Sequence, residues 1–398
     1  MCVKVKKRVS MKIKILACIL CAILVGQSII AAAGSSSGSS SSPTEERQII
    51  RSLSDVDNFY SADRATLKLV NVDIMMDIEK FFANLRLDYK TDALLIENTN
   101  VQKIVFTGTP LAHLTVANNP ELTSIDIKYT NLDSVTLAGS LPRLQTFSHT
   151  GLRRSQILDV SKLLPDDCAL QTVEISTAGN IKINGSENLT TLTTLKLVGH
   201  VPDLIWDVTN YPKNIQKLTL YPVKQIKGLQ NLTKLTELNL PNNQLKGTLN
   251  VREYPTNLQK LNLTENKLTG LSGVSRLINL TELNLSNNKL SGTLDVTEYP
   301  TSLQKLNFSK NQLANIIGLR NLTKLTELDL SENNLSGTIN IASYPRSLQK
   351  LNFYHNDRIT ALKGFEHLNN LTEFNTTGAR LSTENALKIH DFLEAKTH

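Results

Sequence analysis

Cysteine is scarce and poorly placed for cross-links. Of four in 398 residues, Cys2, Cys18 and Cys21 lie near the start, which leaves Cys168 alone in the remainder. A lone thiol cannot close an intrachain disulfide, so Cys168 is read as a half-buried structural residue. Aromatic side chains make up 5% of the chain, so a core has to be aliphatic, and the single Trp206 is expected on the outer side of a coil. Catalytic signatures are missing too. There is no H-E-x-x-H, no nucleophile elbow, no phosphate-binding glycine loop, and no Cys/His set at metal spacing. His113, His149, His200, His355, His367 and His390 are scattered, which predicts solvated or cap-packed rings. These absences argue against an enzyme and predict no metal and no cofactor. The formal charge of +7 is also less than it seems, because the first 33 residues carry six basic and no acidic side chains, leaving +1. That balance predicts no nucleic-acid partner.

What is abundant is leucine in a fixed rhythm. From about residue 235 to 381 the chain repeats with a period of 45 residues, each split into units of 22 and 23. NLTKLTELNLPNNQL from Asn231 returns from Asn279 and Asn321, and NLQKLNLTENKL from Asn257 is echoed from Ser302 and Ser347. Within a unit, Leu235, Leu238, Leu240, Asn243 and Leu245 spell L-x-x-L-x-L-x-x-N-x-L. Alternation at Leu238 and Leu240 predicts a short strand with two apolar side chains inward. Asn243 then turns the chain, its amide satisfying backbone groups inside the bend. So short a unit cannot enclose a core alone and must stack on its neighbours.

These units resemble the leucine-rich repeat family. Clear units begin at Leu235, Leu258, Leu280, Leu303, Leu325, Leu348 and Leu371, and looser ones near Val101, Leu122, Leu144, Leu170, Leu192 and Ile215, about 13 in all. Ser291-Gly292-Thr293-Leu294 with Tyr299-Pro300 looks plant-type, whereas Ile316 to Leu322 looks internalin-like, so the chain mixes both styles. The resemblance implies an α/β repeat fold: a leucine-rich repeat solenoid with a curved parallel sheet on the concave face and short irregular, 3-10 or strand segments on the convex face. It also implies a scaffold that recognises protein or glycan. The cysteine-bonded caps common in extracellular members are missing.

The flanks read as follows. Six basic residues before the apolar run Ile15 to Val25, then Ala31-Ala32-Ala33, predict a secretory signal over 1–33, with Met11 a second possible start. An uncleaved membrane anchor is the alternative, and the only membrane link expected. Residues 34–43 (GSSSGSSSSP) read as a flexible linker. Residues 44–100 read as an N-terminal helical cap, with one helix from Thr44 using Ile49, Ile50, Leu53 and Val56, and another over Asp73 to Leu85 carrying Met75, Met76, Ile78, Phe81 and Phe82. Repeats fill 101–381, and 382–398 read as a C-terminal capping helix with Ala386, Leu387, Ile389, Phe392 and Leu393 apolar. No apolar tail or lipid-attachment signal is expected after it.

The exposed strand face supplies the candidate binding residues. The third position of each clear unit gives Glu237, Lys260, Glu282, Lys305, Glu327, Lys350 and Glu373, a strict alternation of sign. The fifth gives Asn239, Asn262, Asn284, Asn307, Asp329, Asn352 and Asn375. One reading is a solvated face whose groups satisfy one another; the other is a docking surface for a polar ligand. Upstream, Lys103, Asp126, Glu174, Lys196, Lys217 and Thr219 lack such a rhythm, and Tyr129, Tyr221 and Tyr354 fall just after strands. Tyrosine is a frequent interface anchor, so contacts are expected at Tyr129, Tyr221 and Tyr354 first, with Lys196, Lys217, Asn239, Asn262 and Asn284 beside them. Asn-x-Ser/Thr occurs eleven times; Asn231, Asn279, Asn321 and Asn370 precede strands and are the glycosylation candidates. The repeat's own use of Asn, Leu and small hydroxyls explains the pattern equally. The function expected is a secreted or surface-tethered, non-catalytic recognition module for a protein or glycan. A structural or adhesive component of the cell surface or matrix is the alternative.

Overall fold

The computed structural model describes residues 48–51, 53–61, 66–74, 81, 85, 91–108, 111–151, 155–163, 169–201 and 204–395. The signal, linker, Cys168 and most of the Asp73 to Leu85 stretch lie outside them. Thirteen parallel strands, from Lys103–Thr107 to Glu373–Asn375, form one sheet in strict chain order. Each begins two residues after a unit start read from the sequence. Inward side chains such as Ile104, Leu195, Leu238, Leu306 and Leu351 are buried against those of adjacent coils in a single apolar cluster. At about 25 cal/mol per Å2 of apolar surface removed from water, this stacked interior is the main stabilising term.

The opposite wall changes along the chain. Upstream, Thr66–Val70, Ala93–Glu97, His113–Ala117, Ser134–Gly139, Gln156–Leu163 and Ile181–Asn184 zip into one six-stranded parallel sheet. Downstream, the outer strands pair only in twos, for example Lys246–Asn250 with Lys267–Ser272 and Ser291–Asp295 with Gln312–Ile317. The first strand of each of these pairs has a left-handed glycine as its second residue, where the register slips (Gly247/Thr248, Gly292/Thr293). Such a bulge bends the strand and increases its twist, which turns its other edge away from the preceding coil. After the second strand the chain enters a 3-10 turn, as at Leu319–Asn321. It does so through Gly318, where a Cβ would come within 2.4 Å of Thr297 N. Alternate coils use Tyr-Pro instead. The Tyr299 and Tyr344 rings are buried and tilt over Phe308 and Phe353, and burial raises both phenol pKa values. Alternation of these two corners produces the 45-residue period.

The N-terminal expectation needs correction. Gln48–Ile50 is a strand paired with Val72–Ile74, not a helix, and Leu53–Phe59 is a 3-10 helix. Thr66–Val70 and Ala93–Glu97 already belong to the outer sheet, so coil architecture reaches upstream of Val101. Period-two burial in TLKLV and ALLIE carries that signal, and the helical reading of the neighbouring apolar residues overlooked it. Phe81 and Leu85 are buried, while Met75, Met76, Ile78 and Phe82 lie outside the described residues. At the other end the helix Thr383–Glu394 is present, capped by Ser382 Oγ accepting from Asn385 N. Its Ile389 is buried and Phe392 meets Phe365 edge-on, but Ala386 and Leu387 face solvent instead of the coil. Asn385 accepts from Leu362 N and donates to Leu362 O, both at 2.8 Å, so it satisfies the last coil's backbone.

Candidate functional site

Strand register decides which side chains share the concave face. One column runs Lys103, Ser124, Thr146, Thr172, Thr194 and Lys217, and continues through Glu237, Lys260, Glu282, Lys305, Glu327, Lys350 and Glu373. A second holds Asp126, Glu174, Lys196 and Thr219 before the amide row from Asn239 to Asn375. The upstream residues taken as equivalent therefore belong to two columns, with Lys103 and Lys217 in the first. The expected alternation of charge is present, but the ion pairs close in one direction. Lys217 reaches Glu237 at 3.6 Å, Lys260 reaches Glu282 at 3.0 Å, Lys305 reaches Glu327 at 3.0 Å and Lys350 reaches Glu373 at 2.5 Å. The lysine pKa rises at Lys260 and Lys350 through hydrogen bonding to Glu282 and Glu373. All these pairs are solvent-exposed, so each contributes about 0–1 kcal/mol.

The amide row behaves otherwise than expected: its members do not satisfy one another. Asn262, Asn284, Asn307, Asn352 and Asn375 each accept, through Oδ1, the backbone N–H two residues on, at 2.9–3.1 Å. Asp329 does the same for Ser331. The position therefore requires an acceptor oxygen that caps the turn, which Asn and Asp supply equally. Asn239 is the informative exception. Two residues on stands Pro241, which has no N–H, and Asn239 instead donates to Glu237 Oε1 at 2.9 Å. With Oδ1 committed, the Nδ2 groups of the other five asparagines make no hydrogen bond among the described residues, and Asn262, Asn284, Asn307 and Asn352 line a trough together with the charged column. The sequons at Asn262, Asn284, Asn307 and Asn375 have a turn-forming role here. Ser309 Oγ donates to Asn307 as well, so the hydroxyl two residues on belongs to the turn.

Of the proposed contact residues, six fall on five adjacent strands: Lys196, Lys217, Tyr221, Asn239, Asn262 and Asn284. Lys196 lies 3.5 Å from Glu174. Tyr221 is half-buried with its ring edge-on to His200, whose Nδ1 is 2.8 Å from Thr177 O. Tyr129 is 58% exposed in a left-handed conformation, but it lies four strands upstream of Tyr221, about 19 Å at the usual strand spacing. Tyr354, half-buried against His355, lies six strands downstream, about 29 Å away. The three tyrosines therefore do not form one site. The glycosylation candidates Asn231, Asn279, Asn321 and Asn370 stand before strands as expected, and each Nδ2 donates to a carbonyl of the preceding coil. Trp206 is buried in an outer strand, as expected, donating to Pro222 O at 2.8 Å.

His149 overturns the expectation of solvated or cap-packed histidines. It points inward between Ile127 and Ile175 and is 1% exposed, with Nε2 3.2 Å from Thr130 Oγ1 and Nδ1 unpaired. Burial depresses its pKa to about 4. Among the described residues no group of three or more His, Cys, Asp and Glu is placed to hold a metal ion, and no helix is long and apolar enough to cross a membrane.

Comparison with known proteins agrees with this architecture. The model for two leucine-rich repeat copies matches residues 301–343 and the single-repeat model matches 279–297. No curated protein sequence matches the chain. Among solved structures, a leucine-rich repeat protein of Leptospira interrogans is 22% identical over 71% of this chain and 88% of its own, with a TM-score of 0.47. The leucine-rich effector YopM of Yersinia pestis is 22% identical over 80% and 84%, with a TM-score of 0.48. An internalin of Listeria monocytogenes is 18% identical over 72% and 84%, with a TM-score of 0.41. These superpositions are too loose to carry functional argument. The repeat matches and the thirteen register-locked coils make the chain a leucine-rich repeat protein.

Proposed function

We propose that this is an exported, non-catalytic recognition protein whose concave strand face binds a protein or glycan carrying hydrogen-bond acceptors. The observation that carries the reading is the row of asparagine Nδ2 groups, each oriented because its oxygen caps a turn and each left without a partner among the described residues. Fixed donors lose little conformational freedom on binding, so a polar ligand gains more from them than from mobile side chains. Lys196, Lys217 and Tyr221 extend the surface at its upstream end. The leader over residues 1–33 is the proposed export signal, and glycans at Asn279, Asn321 and Asn370 would lie clear of the trough.

Asn-to-Asp replacement separates fold from recognition, because Asp329 shows that a carboxylate still caps the turn. The triple variant Asn262→Asp, Asn284→Asp, Asn307→Asp should keep the wild-type melting curve and lose capture of a cross-linked partner from the producing cells' surroundings. Tyr221→Ala should weaken capture less, and Tyr129→Ala least. Full capture by the triple variant and by both tyrosine variants would remove the strand face as the contact surface.

A further inference from the structure

The concave columns of the downstream coils are almost neutral, yet residues 209–398 carry 22 Lys and Arg against 15 Asp and Glu, while 34–208 carry 15 against 21. Part of the downstream surplus lies on one rim, in the turns that lead into the concave strands. Those turns stack coil on coil through bonds such as Asn257 Nδ2 to Thr233 O at 2.7 Å and Asn279 Nδ2 to Thr256 O at 3.0 Å. They present Lys213, Lys234, Arg252, Arg276, Arg320, Lys324 and Arg346 against Glu253, Glu298 and Glu366, all exposed. None of the seven basic groups forms an ion pair among the described residues; Lys234 donates to Asn214 Oδ1.

Corresponding corners recur every 45 residues or so, but their side chains differ. Successive copies pair Thr209 with Asn231, Arg252 with Arg276, Thr297 with Asn321, and Ala342 with His367. Only the second brings two guanidinium groups to one notch, which has Tyr254 and Pro255 in its lining along with Thr233 and Asn257. The residue beneath also differs. Asp207 and Asp295 cap Thr209 and Thr297, whereas the neutral Asn250 caps Arg252, its Oδ1 accepting Arg252 N at 2.9 Å. Glu253 borders the notch as its one carboxylate.

We propose that this notch and the basic rim around it bind spaced carboxylates on an extended acidic segment of a protein partner. A guanidinium pair offers forked donors matched to carboxylate geometry. The rim alternates, with Glu298 between Arg276 and Arg320, so a continuous polyanion would meet a repelling charge. Two coils separate Arg276 from Arg320, about 10 Å, which three residues of extended chain span. Glutamates at every third position fit that interval and straddle Glu298. The surface is separate from the strand face, so neither reading depends on the other.

The test is fluorescence anisotropy of the purified protein with a labelled (Glu-Gly-Ser)4 peptide, with (Gln-Gly-Ser)4 and dextran sulfate as comparators. The glutamate peptide should bind at least tenfold tighter than the glutamine peptide. Arg252→Glu with Arg276→Glu should lose at least tenfold, while Lys260→Gln with Lys305→Gln on the strand face changes binding less than twofold. Both substituted sites are exposed, and Arg252 meets its cap through backbone N–H, so the variants should melt like wild type. Equal loss in both variants would mean diffuse charge attraction and overturn the site, as would full binding by the arginine variant. Dextran sulfate binding more tightly per charge than the peptide would overturn the choice of partner.

Discussion

The two halves of the solenoid solve one problem, satisfying backbone groups where coils turn, by different means. Upstream, the outer strands run from four to eight residues and hydrogen-bond continuously across six coils. Downstream, outer strands pair only in twos, and a column of buried asparagines takes over at the inner turn. Asn266, Asn288, Asn311 and Asn333 each accept one backbone N–H of the previous coil and donate to three carbonyls. Upstream, the described turns after the concave strands use Thr130 with His149, and Thr177, while Asn119 makes comparable bonds at the opposite corner, after the outer strand His113–Ala117. Side-chain ladders tolerate outer strands that pair only in twos, whereas continuous sheets tolerate irregular ladders.

Removing one member of the asparagine column should break the contrast most sharply. Asn311→Ala strands Leu290 N and takes one of two donors from the carbonyls of Leu285, Phe308 and Ser309, which keep Asn288 Nδ2, Asn333 Nδ2 and Asn287 N. The stranded N–H costs about 1–3 kcal/mol and the weakened carbonyls add less, so the loss should be roughly 2–3 kcal/mol. Thr130→Ala upstream should cost only about 1 kcal/mol, since one 3.2 Å bond to His149 is involved. Hydrogen exchange read coil by coil during urea titration distinguishes them. Equal destabilisation would show that the asparagines are no more structural than the threonines.

The upstream irregularity should also make that half acid-sensitive. His149 has a folded pKa of about 4 against an ordinary value of 6.5, so the unfolded chain takes up the proton first. The stability this provides is complete above the unfolded value and is lost as pH falls from 6.5 towards 4. At pH 5 the loss is roughly 2 kcal/mol. Protection of the strand Thr146–Gly151 and its neighbours should fall at pH 5 while the coils around Asn288 change little. His149→Leu, placed between Ile127 and Ile175, should abolish the difference. Uniform acid loss in both halves would sink the assignment to His149.

Leucine spacing made the concave sheet legible to within a residue, because burial of alternate side chains fixes register wherever one face is apolar. The outer wall was less legible. Thr66–Val70 and Ala93–Glu97 carry a two-residue period, but apolar residues around them also fit a helix, and only pairing between distant coils resolves the choice. At the candidate site the charge and amide rows could be read in advance. The role of each amide oxygen could not, since it depends on the N–H two residues on and shows itself only at Pro241, where that donor is lost. The separation of the tyrosines was not legible either, because sequence gives each a position after a strand but not its neighbourhood. The buried His149 stood at an inward position of a loose unit, and the Thr130 two residues beyond Lys128 gave no warning that it would face the ring.

The smallest expected effect sharpens the comparison along the strand face itself. Upstream, the second column has no capping amide at Lys196 or Thr219; downstream, each member except Asn239 caps a turn. Asn307→Ala removes an acceptor from Ser309 N and Oγ at a half-exposed site, where water replaces part of the loss, and should cost about 1 kcal/mol. Asp329→Asn keeps the oxygen and alters only charge, so it should change stability by less than about 0.5 kcal/mol. Asn239→Ala should also fall within about 0.5 kcal/mol, because Pro241 leaves no turn N–H to satisfy and only one part-buried bond, to Glu237, is lost. Urea midpoints for the three variants settle the ranking. A cost at Asn239 equal to that at Asn307 would mean the amides stabilise the sheet through one another, and the outward donors proposed for recognition would not be free.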